Sequence, residues 1–499
     1  MTRSSWQQNR ADGHQARSAR HTRSPGIALA LIVSCEFMLQ LDTTITNVAL
    51  PAIQEDLGFG QAGLSWVINA FLLTFGGLLL LGGRAGDILG HRGVFLAGTA
   101  LFTLASALGG LAPSADTLVV ARALQGTGAA LAAPTGIALL ATNFPEGPER
   151  NRAFAVFSTV AGSGLALGLV LGGLLTSGLS WRWVLFLNIP FGVLVLALTP
   201  RFLTATGRTP GRFDLAGALT STVGMTALVY AFIRVSERSW GDTVASVCFP
   251  LGAVLLGAFL AIEKRAAQPV MPLRLFRRRS RAGAYVNLLL IAATLTSVWF
   301  FLVQFLQRVL GYDALRAGLA FLPMAVAVFV SSQLVPRILP KCGTTPVALT
   351  GMALVGLATG WLTRLTTSTG YLSGVLGPLL LFGLGAGLVL VSHNLAIMSA
   401  TPPGDTGATS SVLQAMLTVG GSLGLALLVA VFGRSRREAG ENGAERSRYA
   451  LTEGITAAFT LGCVFAVIGL LVAGFVVRSR RAPAVGAPRP LRGPDTPGR

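Results

Sequence analysis

The sequence has few charged residues and few cysteines for its length. Only 12% of its 499 residues are charged, about half the share found in an average soluble protein. Its four cysteines, Cys35, Cys248, Cys342 and Cys463, are widely separated, so their spacing indicates neither a zinc site nor a disulfide framework. The HExxH zinc-protease motif is absent, as is any pair of aspartates within the apolar segments. These absences favour a protein that is not an enzyme and that holds no metal or cofactor.

Long apolar segments occupy most of the chain instead. Hydrophobic residues make up 52% of it and fall in segments of 17 to 28 residues, close to the roughly 20 that a membrane-spanning helix needs. Strands of a membrane barrel would instead show alternating patterns of about ten residues. The formal net charge is +19, but the basic residues lie between apolar segments and form no basic domain with interleaved aromatics, so nucleic-acid binding is not expected. The sequence predicts an all-α polytopic membrane protein.

Fourteen apolar segments are predicted to be transmembrane helices. They lie at 26–50, 64–83, 93–112, 118–142, 154–178, 183–199, 214–233, 243–262, 282–306, 317–335, 347–363, 372–399, 411–433 and 455–477. If both termini are cytoplasmic, the inner loops and tails carry 27 of the 39 lysines and arginines and the outer loops carry 11, with Arg122 inside a segment. This bias follows the positive-inside rule, so we expect cytoplasmic termini.

A faint internal repeat divides these segments into two groups of six. GGRAGDILGHRGVFLAG at 82–98 and LVPRILPKCGTTPVALTG at 334–351 each join two segments through a short basic turn with a glycine. Internal repeats are typical of transporters whose halves move about a site near the membrane midplane. The predicted regions are a cytoplasmic basic tail (1–25), a six-helix bundle (26–199), two extra helices with a basic cytoplasmic loop (200–281), a second six-helix bundle (282–477) and a disordered cytoplasmic tail (478–499).

Asp42 is an acid deep inside the first apolar segment, in the sequence LDTTITNVALP (41–51). A charge near the middle of a spanning helix costs at least about 2.5–3.5 kcal/mol on insertion scales, so such residues usually belong to a proton or ion pathway. The alternative is an acid that is buried only to pair with a neighbouring helix. Glu36 lies six residues earlier, about 120° round the helix, so the two carboxylates need not share a cavity.

The basic turn GRAGDILGHR resembles the turn between spans 2 and 3 of the major facilitator superfamily, written G-x-L-A-D-x-x-G-R-K. Gly83, Asp87, Gly90 and Arg92 match that pattern. The resemblance implies the major facilitator fold and a conformational latch, in which Asp87 is held at the positive N-terminal end of a helix in the other half. By position, that helix is the thirteenth segment. The alternative is a simple inner turn capped by Asp87.

The sequence RALQGTGAALAAP (122–134) resembles the R-x-x-Q-G-x-G motif in the fourth span of the same superfamily. Arg122 and Gln125 share a helical face, and a permanently charged guanidinium in a span must find partners. In the family this arginine works with the acid of the first span during proton exchange. The resemblance therefore implies that Arg122 and Asp42 lie close together, directly or through water. The alternative is that Arg122 reaches the outer membrane interface.

Gly164, Gly168 and Gly172 form one stripe along the fifth segment, followed by Gly173. Such a stripe permits close packing of helices. The segment resembles the fifth-span antiporter motif G-P-x-x-G-G, but Leu169 occupies the proline position. A proline kink is therefore not expected there, and this departure weakens the case for antiport.

Three stretches resemble one branch of the superfamily, the fourteen-span drug:proton antiporters (the EmrB/QacA subfamily). They are LDTTITNVALP, SWRWVLFLNIPFG (180–192) and FLQRVLGYDALRAGLAFLP (305–323). The resemblance implies fourteen helices in a 6+2+6 arrangement and a monomeric efflux transporter of the bacterial plasma membrane. Its partners would be protons, an amphipathic small-molecule substrate such as a drug or antibiotic, and the lipid bilayer. The alternative is a proton-linked importer of a small metabolite or siderophore in the same fold.

Polar and aromatic residues within the apolar segments are candidates for the substrate cavity. They are Glu36, Gln125, Trp299, Gln304, His393, Asn394 and Gln414. The last six segments contain no acid, so dicationic substrates are less expected. For each of these residues the alternative is a hydrogen bond that only joins two helices.

Overall fold

The computed structural model describes residues 24–60, 62–144, 147–204, 214–266, 271, 273–399, 406–439 and 444–475. These residues form helices joined by turns, with no β-strand among them. The predicted tails at 1–25 and 478–499 lie outside this part of the chain, apart from Ser24 and Pro25.

Seven helices precede residue 204. They are α1 (Pro25–Leu57), α2 (Trp66–Leu89), α3 (His91–Gly110), α4 (Ala115–Asn143), α5 (Pro148–Gly178), α6 (Arg182–Phe186) and α7 (Asn188–Phe202). Two helices follow, α8 (Leu215–Glu237) and α9 (Thr243–Arg265). The rest are α10 (Arg279–Gln304), α11 (Ala314–Ala320), α12 (Leu322–Cys342), α13 (Thr344–Leu362), α14 (Tyr371–Gly374), α15 (Leu376–Ser399), α16 (Thr406–Ala439) and α17 (Ala444–Phe475), with a π-helical turn at Phe305–Val309 after α10.

Twelve of the described helical segments are long and apolar enough to cross a membrane, and the count rises to thirteen if the bent helix α2 is one span. The predicted segments at 183–199, 317–335 and 372–399 are each divided between two helices, and the segment at 282–306 runs into the π-helical turn. Among the described residues, α5 contributes only the shorter apolar stretch Leu167–Gly178. The prediction of fourteen spans is therefore not confirmed, whereas the prediction of a polytopic helical membrane protein agrees with the structure.

The helices pack in two groups with a pair of helices beside them. In the first group α1 packs on α5 and α7, and α4 packs on α2 and α3. In the second group α10 packs on α16 and α17, and α15 packs on α12 and α13. Helix α2 meets α16 between the groups, and α8 packs against both of these helices while α9 packs mainly on α8.

Two positive-φ glycines close the basic turns of the predicted repeat. Gly90 joins α2 to α3 with φ 99°, and Gly343 joins α12 to α13 with φ 80°. Residues with a side chain rarely adopt such a φ, so glycine permits these tight reversals. The two turns therefore share a backbone feature as well as a sequence pattern.

Candidate proton-coupling site

The centre of the first group holds a buried ion pair. Asp42 lies midway along α1 and its side chain is fully buried. The Arg122 Nη1 atom, from α4, lies 2.5 Å from the Asp42 Oδ2 atom. Hydrogen bonds between two charged groups are among the strongest in proteins. Sequence reasoning placed these side chains near each other, and the structure brings them into direct contact.

Two amide side chains complete the surroundings of the Asp42 carboxylate. Gln125 Nε2 and Asn188 Nδ2 both donate to the Oδ1 atom, at 3.1 and 2.8 Å. The Ser106 hydroxyl on α3 accepts from Gln125 at 2.8 Å and from Asn188 at 3.4 Å. Arg122 and Gln125 reach the same carboxylate because residues three apart lie on one face of a helix. Asn188 reaches it because it is the first residue of α7, just after the break from α6.

The Arg122 guanidinium is held inside the protein on several sides. Its Nε atom donates to the Val67 carbonyl at 3.0 Å, and Nη1 also donates to Gln125 Oε1 at 2.9 Å. The guanidinium carbon lies 4.7 Å from the centre of the Phe71 ring, within the range of a cation–π contact. Only 2% of the side chain is exposed, so the alternative that Arg122 reaches the outer interface is wrong for this conformation.

Sequence reasoning missed Asn188 and Ser106 as members of this site. Asn188 was visible as an amide within the apolar sequence SWRWVLFLNIPFG, but its distance along the chain from Asp42 hid the contact. Ser106 carried no signal, because serine is common in packed membrane helices.

The resemblance implies that Asp42 exchanges a proton during transport, so we predict that Asn188→Ala lowers gradient-driven transport about tenfold or more. Hydrogen bonds to charged groups contribute about 1.5–3 kcal/mol, and alanine removes one donor from the Asp42 carboxylate. Transport into membrane vesicles at matched protein levels measures the effect. Asn47→Ala is the control, because Asn47 lies on the same helix as Asp42 and, among the described residues, its amide donates to the Thr43 carbonyl and not to Asp42. Equal activity of the two variants would contradict the prediction.

The predicted latch residues lie around the turn between α2 and α3. Asp87 is partly exposed and pairs with Arg84 at 3.6 Å and with His91 at 3.5 Å. Arg92 donates to the Leu203 and Pro200 carbonyls, at 3.1 and 3.4 Å, at the C-terminal end of α7. Such a cation satisfies carbonyls that lack a partner within their helix.

The predicted target of Asp87 is only partly described. The sequence that enters the thirteenth segment, residues 400–405, lies outside the described residues. Gly83 packs beside Pro134 of α4. The latch therefore stays a prediction.

The glycine stripe of α5 packs directly on α1. A Cβ atom added to Gly164 would lie 3.0 Å from Gln40 Cβ, and one added to Gly168 would lie 1.9 Å from Thr44 Oγ1. One added to Gly172 would lie 2.9 Å from Ile45 Cγ1. The stripe thus lets α5 approach the helix that carries Asp42.

The two helix groups touch near the end of α1. Gln307 Nε2 donates to the Val48 carbonyl at 2.9 Å, and Arg308 pairs with Glu55 at 3.3 Å. Helix α5 also meets α11 there, where a Cβ atom added to Gly173 would lie 2.5 Å from Leu315 Cα. In the facing position, a Cβ on Gly318 would lie 2.4 Å from the Leu169 carbonyl oxygen. Leu169, in the motif's proline position, therefore lies where the groups meet.

We predict that Gly173→Leu forces this end of the bundle apart, because its side chain would overlap the Leu315 backbone. The measurement uses a background without the native cysteines, in which Val48→Cys introduces a single thiol. Labelling of that thiol by a membrane-impermeant maleimide should be several-fold higher with Gly173→Leu than without it. Gly178→Leu is the matched control, since no atom lies within 4 Å of a Cβ at Gly178. Unchanged labelling in both variants would show that this contact does not close the bundle.

Among the described side chains, no hydrogen bond or ion pair joins any two of the seven predicted cavity residues. Glu36 accepts from Gln40 at 2.8 Å, and His393 bonds to Asn287 at 3.2 Å. Trp299 stacks on Phe321 with the ring centres 4.5 Å apart. Gln304 is buried, Gln414 is half-buried and Asn394 is exposed. Their assignment to a substrate cavity stays a prediction.

One sequence in α16 matches the GxSxG letters of hydrolases, GGSLG at 420–424. In those enzymes the serine lies on a sharp turn between a strand and a helix. Ser422 instead lies inside α16 and donates to Asn69 Oδ1 of α2 at 3.1 Å. A Cβ added to Gly424 would lie 2.1 Å from Ala293 Cβ of α10. These residues therefore serve helix packing.

The fold and the site together define a multi-pass membrane protein with a charged pair enclosed between its helices. The chain belongs to the Major Facilitator Superfamily, whose sequence pattern it matches over residues 32–425. Among the described residues, no group of three or more histidine, cysteine, aspartate or glutamate side chains could hold a metal ion.

Curated relatives and solved structures are similar along most of the chain. The cephamycin export protein CmcT of Amycolatopsis lactamdurans is 41% identical over 425 residues, covering 84% of this chain and 87% of that protein. The puromycin resistance protein pur8 of Streptomyces alboniger is 40% identical, with 89% of each covered. An auto-inhibited POT family peptide transporter has a TM-score of 0.63 at 16% identity and covers 92% of this chain and 98% of its own. That structural likeness supports the fold alone.

Proposed function

We propose that this protein is a proton-coupled exporter of amphipathic small molecules, such as drugs or antibiotics, that works by alternating access. The observation that carries the proposal is the fully buried Asp42 carboxylate, which accepts hydrogen bonds from Arg122, Gln125 and Asn188. A buried ionisable group in a membrane helix usually marks a proton or ion pathway. Asp42 is the proton carrier in this proposal, and Arg122 is its partner.

Protonation of Asp42 breaks the ion pair and leaves the guanidinium without its counter-charge. Removing one partner of a buried pair costs about 3–5 kcal/mol, because the other charge stays buried. Protonation therefore changes the balance between two arrangements of the helices that enclose the pair. Proton entry down a membrane potential supplies about 2.3 kcal/mol per 100 mV, enough for roughly fiftyfold accumulation of a neutral substrate.

Export rather than import is supported by the names of the relatives. The two curated relatives described above are named for export of cephamycin and resistance to puromycin. Leu169 in place of the motif's proline weakens the case for antiport and so favours the importer alternative. Its contact with Gly318 gives it a packing role that fits either direction of transport.

The proposed architecture is that of the fourteen-span drug:proton antiporter branch in a 6+2+6 plan. Helices α1–α7 would form the six spans of the first bundle, since α6 and α7 together make one span. Helices α8 and α9 would be the extra pair. Helices α10–α17 would form the six spans of the second bundle, since α11 with α12 and α14 with α15 each make one span. The position of α8 across α2 and α16 supports this plan, because an inserted pair lies beside the bundles without replacing a helix of either. Both termini would lie in the cytoplasm and one chain would be the transporting unit.

Gly83, Asp87, Gly90 and Arg92 would act as the conformational latch within that plan. Gly90 makes the tight reversal and Arg92 fixes the turn to the end of α7. Asp87 would exchange its contacts with Arg84 and His91 for the N-terminal end of α16 when the bundles move.

Inverted membrane vesicles test the proposal. Respiration acidifies the vesicle interior, and a proton-coupled exporter should then accumulate puromycin or a cephamycin inside. A protonophore should abolish accumulation, and vesicles without the protein should show none. A susceptibility panel across antibiotic classes, with and without the protein, would first select the compound. Accumulation that survives the protonophore would overturn the proposal.

A further inference from the structure

A wide groove lies on the surface of the second helix group, away from the ion pair. It has a volume of about 880 Å³ and runs between α13 and α17, with α15 at one side. This volume lies in the range of pockets that bind small molecules, about 300–1,000 Å³. The side chains along it are apolar except at one end, where Arg364 lies.

Small residues make this surface concave. Gly356 and Gly360 of α13 face Ala466 and Cys463 of α17, and a Cβ atom on either glycine would lie 3.5 or 3.7 Å from those side chains. The rims are larger apolar residues, Leu357 and Val467, that are exposed on the membrane-facing surface. A flexible hydrocarbon chain therefore fits along the floor between the rims.

Arg364 lies two residues past the end of α13. Its side chain is exposed, and within the described residues no hydrogen-bond or ion-pair partner contacts the guanidinium. Trp361, one turn earlier, lies against Gly377 of α15, where a Cβ would be 2.9 Å from the ring. Tryptophan is enriched at the level of lipid head groups, so we expect this end of the groove at that depth.

We propose that the groove binds an anionic phospholipid, with an acyl chain along its apolar floor and the phosphate on Arg364. The planar guanidinium matches a phosphate oxygen pair, and the unpaired positive charge favours an anionic head group over a zwitterionic one. A second copy of the chain fits less well, because a two-fold interface must be self-complementary and this surface is concave.

Native mass spectrometry of the full-length protein tests the site. Protein released from nanodiscs of equal phosphatidylglycerol and phosphatidylcholine should retain the anionic lipid in preference. Arg364→Gln should reduce that preference about fivefold, the effect of one cation near a membrane surface. Gly360→Leu should reduce retention of both lipids, because its side chain fills the floor of the groove.

Two control variants separate the groove from the rest of the surface. Arg316→Gln removes an exposed arginine that stacks on Tyr312 outside the groove, and Gly257→Leu adds bulk at an open position of α9. Both should retain lipid as the unmodified protein does. The proposal is overturned if the two lipids are retained equally, if Arg364→Gln matches Arg316→Gln, or if the spectra show dimers without lipid that Gly360→Leu dissociates.

Discussion

Asp42→Asn is expected to abolish proton-driven accumulation while leaving the protein folded and able to exchange substrate. Asparagine has nearly the same shape and its oxygen can still accept hydrogen bonds from Gln125 and Asn188, but it takes up no proton. It also leaves the Arg122 guanidinium without its counter-charge, so the comparison is made at matched amounts of folded protein. Accumulation in inverted vesicles should fall from roughly fiftyfold at 100 mV to none. Exchange of labelled for unlabelled substrate, measured without a gradient, should persist because it needs only the movement of the two bundles.

Asp116→Asn is the matched control for this experiment. Asp116 is also an acid on a bundle helix, but it is exposed in the first turn of α4. The variant should accumulate substrate as the unmodified protein does. If Asp42→Asn accumulates substrate equally well at matched protein levels, the assignment of Asp42 as the proton carrier is wrong.

The central pair could be predicted from the sequence because charge is so rare in the apolar segments. Asp42 and Arg122 are charged residues among apolar neighbours. A charged side chain in the low-dielectric membrane interior is costly, so it usually belongs to a proton or ion pathway. Their partners could not be predicted in the same way. Asn188 and Ser106 are ordinary polar residues, and only the three-dimensional arrangement of α3 and α7 brings them to the carboxylate.

The glycine residues show the same limit. The spacing of Gly164, Gly168 and Gly172 predicted a close helix contact, because residues four apart align along a helix. It did not identify α1 as the partner, nor did it predict that Gly173 would face α11 in the other group.

The predicted latch depends on a property that sequence alone does not carry, namely which conformation the protein adopts. In this structure Asp87 contacts Arg84 and His91 near its own turn. The helix groups meet near the end of α1, through Arg308 and Glu55. The exchange of partners by Asp87 therefore stays a prediction.

Arg122→Gln is expected to destabilise the protein more than any exposed arginine substitution, because it leaves the Asp42 carboxylate buried without its partner. Breaking a buried pair from one side costs about 3–5 kcal/mol because the other charge stays buried without a partner, whereas replacing both partners leaves no uncompensated charge. The double variant Asp42→Asn with Arg122→Gln should therefore recover most of the lost thermal stability in detergent.

That recovery should not extend to proton-driven accumulation, which separates the structural role of the pair from its role in coupling. Arg182→Gln is the control, since its ion pair with Asp56 is partly exposed and such pairs contribute about 0–1 kcal/mol. If the double variant melts as low as Arg122→Gln alone, Arg122 stabilises the bundle mainly through Val67, Gln125 and Phe71. In that case the Asp42 charge does not hold the guanidinium in place. Protonation of Asp42 would then change the arrangement of the helices little.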